Sequence, residues 1–418
     1  MGSRVRVSSA PQAAPSQKGR SLFYQNPHLY FMEQTPLNNN PDILQSKAIN
    51  YLRFPLALLV VSIHFNVVLI ECPKTFGESL YNIIACSGSI VIARVAVPMF
   101  FLFSGYLFFY KIKDFTRNEY ASKVKKRFKT LVLPYIYWNL IAFALLALKP
   151  LLNSYFNGAP IEEFYAYLKT FSYHIFWDSH AWGSTTRFLG FTFYAEDSGP
   201  INAPLWFLRN LIILTVVSPI IYLFIKKIGK IFIAILTIIY LTGVFNNLSP
   251  YSFYGVFFFS LGAYMSINNL RISDCFGKHK TIIWVLFSVL IPLCVYLFLT
   301  HQHRIYSLVF PTSILIGVVS LYNLMYYLID TRRYDNQLPI LARSSFFIYC
   351  LHQLSICYQC GVVLPNKITH WLFGSYQSLA DIVAYLAGPF VVAAVILAIY
   401  IFMDKFTPKL LYALTGSR

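Results

Sequence analysis

Charged residues are scarce in this chain of 418 residues: they make up 12% of it, whereas apolar residues make up 57%. Soluble domains carry about 25% charged residues. The scarcity of charge excludes a soluble globular protein and predicts an all-α polytopic membrane protein. The net charge of +18 need not indicate nucleic-acid binding, because most of the basic residues fall on one side of the predicted membrane helices.

Metal, disulfide and hydrolase patterns are also missing. The seven cysteines show no paired framework, and no Cys/His cluster has metal-ligand spacing. Cys357-Tyr-Gln-Cys360 has the outline of such a motif but lies within a predicted span, so we expect buried thiols and no metal. The chain has no Gly-rich phosphate loop, H-E-x-x-H or G-x-S-x-G motif. We therefore expect any chemistry to occur within a helical bundle and its loops.

Ten apolar segments approach or exceed the ~20 residues that cross a bilayer as a helix. They lie at about 48–70, 83–110, 131–149, 204–225, 231–247, 251–268, 281–300, 305–330, 344–364 and 383–404. With the N-terminus inside, the inner segments hold 25 of the 34 Lys and Arg residues, the outer loops six and the spans three. The positive-inside rule therefore predicts about ten transmembrane helices with both termini in the cytoplasm.

Three regions follow from this topology: a cytoplasmic N-terminal segment 1–47, a transmembrane domain 48–404 and a short cytoplasmic tail 405–418. Residues 1–31 are polar and rich in Ser and Pro, without the apolar core of a signal peptide. We expect them to be a leader or an added segment, with Met32 as the native start. The first span can itself direct membrane insertion.

That first span contains both Arg53 and His64. An ionisable side chain inside a bilayer costs about 2.5 kcal/mol or more, so such residues usually serve a function. Eleven positions separate the two, which at ~100° per residue puts them on nearly the same helical face, ~16 Å apart along the axis. One face thus offers a permanent cation at one level and a titratable imidazole at another.

The inner segment 111–130 contains eight basic residues, the densest such stretch in the chain. Lys126 and Lys129 share a helical face by their i,i+3 spacing, with Lys123 and Arg127 nearby. One interpretation is an anchor that attracts anionic lipid headgroups. The other is a binding surface for a phosphate-bearing cytoplasmic ligand.

The outer segment 150–203 is long and dense in aromatic residues, among them Trp177 and Trp182. Because Trp and Tyr favour the membrane interface, this loop is expected to form an amphipathic cap there. Alternatively, its rings stack on sugar rings while its polar groups bond hydroxyls, which would make it a platform for an acceptor.

Five short motifs follow one another between 48 and 360. They are Arg53-x10-His64; Arg94-x3-Pro98 followed by Ser104-Gly105; Lys126-Arg127-Phe-Lys129 followed by Pro134-Tyr135; Pro204-Leu-Trp206-Phe207-Leu-Arg209; and Ser345-Phe-Phe-Ile-Tyr349-Cys-Leu-His352. Each alone has little specificity, but together and in this order they resemble the integral-membrane acyltransferases of acyltransferase family 3.

The resemblance implies transfer of an acyl group, usually acetyl, from cytoplasmic acetyl-CoA or another acyl-CoA to a hydroxyl of a carbohydrate or lipid-linked glycan. CoA carries a diphosphate and a ribose phosphate, and Arg suits bidentate phosphate contact. Arg53, Lys126, Arg127 and Lys129 are therefore candidate CoA ligands. The family often has Arg-x-x-Arg in the basic region, where this chain has Lys126-x-x-Lys129.

The resemblance also implies catalysis by His64 with Arg53. The His64 imidazole would remove the proton of the acceptor hydroxyl as a general base, and an acyl-imidazole intermediate is a second possibility. A buried structural histidine is the alternative without catalysis. No carboxylate lies in the interior of a predicted span, so Ser, Tyr, Asn or a backbone carbonyl would have to orient the ring.

Four further residues complete the candidate site. Arg94 and Arg209 lie within apolar segments and should face a polar cavity, where they bind CoA phosphates or the thioester oxygen, or pair with helix C-termini. His352 either has a catalytic or substrate-contact role or is a packed, hydrogen-bonded histidine. Trp206, with Trp177 of the loop, is a candidate acceptor contact.

Other functions fit parts of the same pattern. Ten spans with three intramembrane arginines also describe a carrier or flippase, which inverted repeats would favour, although we find none. A non-catalytic scaffold for glycan assembly is a third hypothesis. The expected location is a bacterial inner membrane, with acyl-CoA, a glycan acceptor and envelope-glycan assembly proteins as partners. Ser104-Gly105 predicts close helix packing through small residues.

Overall fold

A computed structural model of the protein describes residues 40–64, 69–112, 114–188, 191–242, 253–331, 338–354 and 363–416. For His64 and for residues 180–188 and 191–198 it describes the backbone alone. The predicted leader 1–31 and the Cys357/Cys360 motif lie outside the described residues.

Helices dominate the described chain. They are α1 (Pro41–His64), α2 (Phe76–Ala85), α3 (Ala96–Phe109), α4 (Arg117–Arg127), α5 (Leu133–Asn157), α6 (Glu162–Lys169), α7 (His174–Trp177), α8 (Trp206–Leu241), α9 (Phe253–Ile267), α10 (Ile272–Phe276), α11 (Lys280–Leu299), α12 (His303–Asp330), α13 (Pro339–Leu351), α14 (Leu364–Phe373), α15 (Gln377–Phe406) and α16 (Pro408–Thr415). Short 3-10 turns lie at Ala93–Val95, Ala203–Leu205 and Gly277–His279.

Two π-helical turns and one hairpin interrupt this pattern. The π-turns are Cys86–Ile92, between α2 and the turn that leads into α3, and Phe128–Val132, between α4 and α5. The antiparallel strands β1 (His180–Phe188) and β2 (Phe191–Gly199) pair in the long aromatic loop. This hairpin was not predicted, because its strands lie among the loop aromatics without a clear turn signal.

The prediction of an all-α polytopic membrane protein is confirmed. Seven helical stretches in the described chain are long and apolar enough to cross a membrane, and α9 and α13 are shorter apolar helices. The predicted spans 204–225 and 231–247 merge into α8, which breaks at Gly229 (φ 46°). A glycine adopts this left-handed backbone without steric cost. The count of ten spans and the side of the termini stay predictions.

Helix α1 lies in the middle of the bundle. It contacts α3, α12, α13, α15 and the π-turn Cys86–Ile92. Every residue from 47 to 63 is buried or half-buried. A helix with apolar side chains on all of its faces is expected to be enclosed by other helices in this way. The helix begins at Pro41 and ends at His64, whereas the predicted span ran from 48 to 70.

Helices α3 and α9 pack with their backbones in direct contact. A Cβ on Gly105 would lie 2.0 Å from the Phe259 carbonyl oxygen, and one on Gly262 would lie 2.0 Å from that of Leu102. Larger residues at either glycine would push the helices apart. The predicted close packing at Ser104-Gly105 is thus confirmed.

Candidate active site

The bundle has an inner face, where α1 begins, and an outer face, where α1 ends. The buried Gln45 near the start of α1 donates to Tyr106 Oη near the end of α3 (2.8 Å), so α3 ends on the inner face. The Gln45 side chain also accepts from the backbone N–H of Ile272 (2.7 Å), which places α10 there too. Helices α2 and α15 approach the other end of α1, as the contacts below show.

Arg53 is half-buried on central helix α1. Its guanidinium makes no hydrogen bond or ion pair with any residue that the structure describes. An intramembrane cation in this position needs an anion or water to offset the loss of solvation. Arg53 is therefore suited to hold an anionic group that enters the bundle.

His64 is the last residue of α1, and its side chain lies outside the described part of the chain. The preceding turn is held from two other helical segments. Ser89 Oγ, in the π-turn, donates to the Ser62 carbonyl oxygen (2.6 Å) and lies 3.0 Å from Tyr385 Oη of α15. A π-turn within a helix is frequently found at a functional site.

The chain beyond His64 is held in the same way. The Asn82 side chain of α2 accepts from the backbone N–H of Ile70 (2.9 Å) and donates to the carbonyl oxygen of the same residue (2.8 Å). The backbone on both sides of His64 is thus held by Ser89 and Asn82, and both of these residues lie in one continuous helical stretch, Phe76–Phe109. The orientation of the His64 ring by Ser, Tyr, Asn or a backbone carbonyl stays a prediction, since these bonds hold backbone near His64 and its side chain lies outside the described residues.

The basic candidates lie around α4. Lys126 and Lys129 are exposed, and Arg127 is half-buried with its guanidinium 5.8 Å from the ring centroid of Phe108. A groove of about 620 Å³ follows one face of α4 and the next turn. Its lining is Arg117, Tyr120, Ala121, Val124, Lys125, Phe128 and Lys129.

This groove includes two cations, Arg117 and Lys125, that are not among the site residues predicted from the sequence. Lys125 and Lys129 are four residues apart, which places them on one helical face, and Arg117 lies about two turns before Lys125. That spacing is a signal that the sequence does contain. Lys126, which was selected instead, does not line the groove.

Arg209 and Trp177 are brought together. The Arg209 side chain is 2% exposed, and its guanidinium lies 5.3 Å from the Trp177 ring centroid. It also donates to the Trp177 carbonyl oxygen, while the Tyr135 hydroxyl donates to that of Phe176. These contacts hold α7 against the start of α8. The side chain of Trp182, on β1, lies outside the described residues.

His352 caps α13 and is 3% exposed. Its Nδ1 lies 2.7 Å from the Tyr349 carbonyl oxygen; since a carbonyl only accepts, Nδ1 carries the proton and Nε2 is the acceptor nitrogen of the neutral ring. Asn202 Nδ2 donates to the neighbouring Cys350 carbonyl oxygen (3.0 Å). His352 and Asn202 thus hydrogen-bond to carbonyl groups of the last turn of α13, where carbonyls generally lack a partner within the helix.

Two candidates lie at helix starts. Arg94 is exposed in the 3-10 turn that precedes α3. Trp206 begins α8 and is half-buried, with its ring centroid 6.0 Å from that of Tyr254. Among the residues with described side chains, no group of three or more His, Cys, Asp or Glu could hold a metal ion.

Comparison with known proteins defines the class. The acyltransferase domain of acyltransferase family 3 matches residues 46–404. The chain belongs to this family, so the predicted resemblance is confirmed and the protein is a multi-pass membrane acyltransferase.

One curated relative is similar in sequence over most of the length of both chains. The chain is 24% identical over 357 residues to the succinoglycan biosynthesis protein ExoH of Rhizobium meliloti strain 1021, a match that covers 82% of this chain and 81% of the relative. A bacterial inner-membrane location is consistent with this relative. No solved structure matches the chain.

Proposed function

We propose that this enzyme moves an acyl group, usually acetyl, from a cytoplasmic acyl-CoA to a hydroxyl of a carbohydrate or lipid-linked glycan. The observation that carries the proposal is Arg53: a half-buried guanidinium on the central helix, without an ion pair in the described chain, on the same helix as His64. Membership of acyltransferase family 3 supplies the reaction class.

The groove on α4 suits the polar part of CoA. Its three cations, Arg117, Lys125 and Lys129, match the diphosphate and ribose phosphate in charge, and the Phe128 and Tyr120 rings suit an adenine face. Helix α4 directly follows the inner end of α3, which by the predicted topology faces the cytoplasm. The acyl-pantetheine arm would extend from there towards Arg53.

The proposed chemistry takes place at the outer end of α1. The acceptor oxygen attacks the thioester carbonyl carbon as His64 takes its proton, and the carbon–sulfur bond then breaks to release CoA as the thiolate. Arg53 would bind a phosphate group of CoA, closer to the inner face than His64. The competing route first acylates the imidazole and transfers the group to the acceptor in a second step.

The choice of acceptor rests on the relative. ExoH is a succinoglycan biosynthesis protein, so a cell-surface polysaccharide or its lipid-linked precursor is the proposed acceptor class. Trp177, Trp206 and His352 lie towards the outer face and are its proposed contacts, with Trp182 on β1. Arg94 stays a candidate for the thioester oxygen and CoA. For Arg209, whose guanidinium contacts Trp177 at the end of α7, the alternative of pairing with a helix C-terminus is the proposed role.

The test is transfer by the purified protein in lipid nanodiscs, with radiolabelled acetyl-CoA and succinyl-CoA offered in parallel. Glycans from strains with and without the gene, compared by mass spectrometry, identify the acceptor. We expect His64→Ala to abolish transfer, and His303→Ala, at an exposed histidine that starts α12, to leave it unchanged.

Arg53→Gln should raise the KM for acyl-CoA, whereas Arg53→Lys should retain part of the affinity because the charge remains. Undiminished turnover by His64→Ala would remove His64 from the mechanism. Glycan or anion movement across the bilayer without CoA turnover would favour a carrier instead.

A further inference from the structure

A histidine–carboxylate pair lies at the outer face, outside the residues assigned above. His370 Nε2 of α14 is 2.9 Å from Asp381 Oδ1 of α15, and the two side chains are 36% and 31% exposed. The other carboxylate oxygen of Asp381 accepts no hydrogen bond from the described residues. Because the imidazole holds one oxygen, the orientation of the half-exposed carboxylate is restricted.

Three large exposed rings lie near this pair along the chain or across a helix contact. Trp371, 82% exposed, follows His370 in α14, and Tyr376, 72% exposed, directly precedes α15. Phe76, at the start of α2, is 82% exposed. A Cβ on neighbouring Gly77 would lie 2.8 Å from Ser378 Cβ, so α2 begins directly against the first turn of α15, which leads to Asp381.

The pair is connected to the end of α1. Asp381 and Tyr385 lie four residues apart on α15, which places them on one face with ~6 Å of rise between them. Tyr385 in turn contacts Ser89, which donates to the Ser62 carbonyl oxygen two residues before His64. A ligand at Asp381 would therefore lie beside the end of α1.

We propose that His370, Asp381, Trp371, Tyr376 and Phe76 form a carbohydrate-binding subsite that holds the acceptor next to His64. A carboxylate accepts strong hydrogen bonds from two sugar hydroxyls, and aromatic faces stack on the apolar faces of sugar rings. The proposal rests on the proposed function in one respect, namely that the acceptor is a glycan.

The competing explanation is an aromatic belt that lies among lipid headgroups. A belt accounts for the exposed rings but gives no role to the carboxylate that His370 orients close to them in the chain. The two explanations differ in what each substitution should change.

The test compares Asp381→Asn and Trp371→Ala with wild type in the nanodisc transfer assay, with acceptor and acyl-CoA varied separately. We expect the KM for the acceptor to rise about tenfold or more, the loss of one or two good contacts, while kcat and the KM for acyl-CoA stay within about twofold. Tyr376→Ala serves as a second ring variant if Trp371→Ala does not fold.

Matched controls lie elsewhere on the bundle. Asp404→Asn changes an exposed carboxylate at the opposite end of α15, and Tyr296→Ala removes a ring on α11 that is 59% exposed. Unchanged acceptor KM in Asp381→Asn would overturn the subsite while leaving the transferase intact. Equal effects of Trp371→Ala and Tyr296→Ala would assign the rings to a lipid belt and also overturn it.

A binding measurement separates the subsite from the reaction. Saturation-transfer NMR would use oligosaccharides released by mild acid from the surface polysaccharides of the strain that carries the gene. If wild type shows no acyl transfer but binds these oligosaccharides, and Asp381→Asn does not, the subsite stands and the proposed reaction fails. Absence of binding by wild type overturns the subsite.

Discussion

The Tyr385 hydroxyl is hydrogen-bonded to Ser89 Oγ across 3.0 Å, although the two are 296 positions apart in the chain. Ser89 Oγ also donates to the Ser62 carbonyl oxygen (2.6 Å), and the Tyr385 hydroxyl also donates to the Ala85 carbonyl oxygen (3.4 Å). Helix α15 and the π-turn thus meet against the last turn of α1. The position of His64 at the end of that turn depends on residues far from it in sequence.

Tyr385→Phe should lower kcat with little change in the KM for acyl-CoA. The substitution removes a hydrogen bond worth about 1 kcal/mol, which corresponds to about fivefold in rate if the whole of it positions His64. Steady-state kinetics in nanodiscs measure both constants. Tyr400→Phe, a buried tyrosine on the same helix, is the matched control, and an equal loss in that variant would show that the effect is general.

Gly88→Ala should impair the enzyme more than Tyr385→Phe does. An added Cβ would lie 2.1 Å from Tyr385 Oη, so the tyrosine or the π-turn has to move. In the double variant with Tyr385→Phe the clashing oxygen is absent, and we expect part of the activity to return. A double variant no better than Gly88→Ala alone would show that the clash is not the cause.

Arg209→Gln should destabilise the outer loop and leave the KM for acyl-CoA unchanged. It removes the cation–π contact with Trp177 and the bond to the Trp177 carbonyl oxygen, a loss of about 1–3 kcal/mol. Limited proteolysis of the loop 158–203 and thermal unfolding measure this loss of stability. A raised KM for acyl-CoA would instead support the CoA-binding role predicted from the sequence.

Gln45→Ala should lower the free energy of unfolding by about 1–3 kcal/mol, because it leaves the buried Ile272 N–H without its acceptor. The same change removes the bond to Tyr106 Oη. Thermal unfolding in detergent would detect the difference. Ser46→Ala, at the adjacent exposed position, should have no measurable effect, and equal melting temperatures for both variants would contradict the role of Gln45.

The fold class could be predicted because it depends on composition along the chain. Apolar runs and the distribution of Lys and Arg are local properties, and they locate most of the helices. The hairpin 180–199 was not predicted, since it depends on how a short segment packs rather than on its hydropathy. An interruption between the spans 204–225 and 231–247 was predicted, and the structure has it as a break of one continuous helix at Gly229.

The candidate site could be predicted in part. Arg53 and His64 stand out because ionisable residues are costly in an apolar span. Ser89, Tyr385 and Asn82 do not stand out, because hydroxyl and amide side chains are common in membrane helices and nothing in their spacing relates them. The pair His370–Asp381 likewise joins two helices whose sequences show no common motif.

The sequence by itself determined the membrane class, the acyltransferase family and the helix that carries Arg53 and His64, because each of these depends on local hydropathy, on charge or on short motifs. Only the tertiary structure decided what surrounds that helix: the support at its outer end, the basic groove at α4, the use of Arg209 to hold Trp177, and the corner at His370 and Asp381. Hydrogen bonds and ring contacts act over a few ångströms in space, and sequence separation does not reveal which side chains come that close.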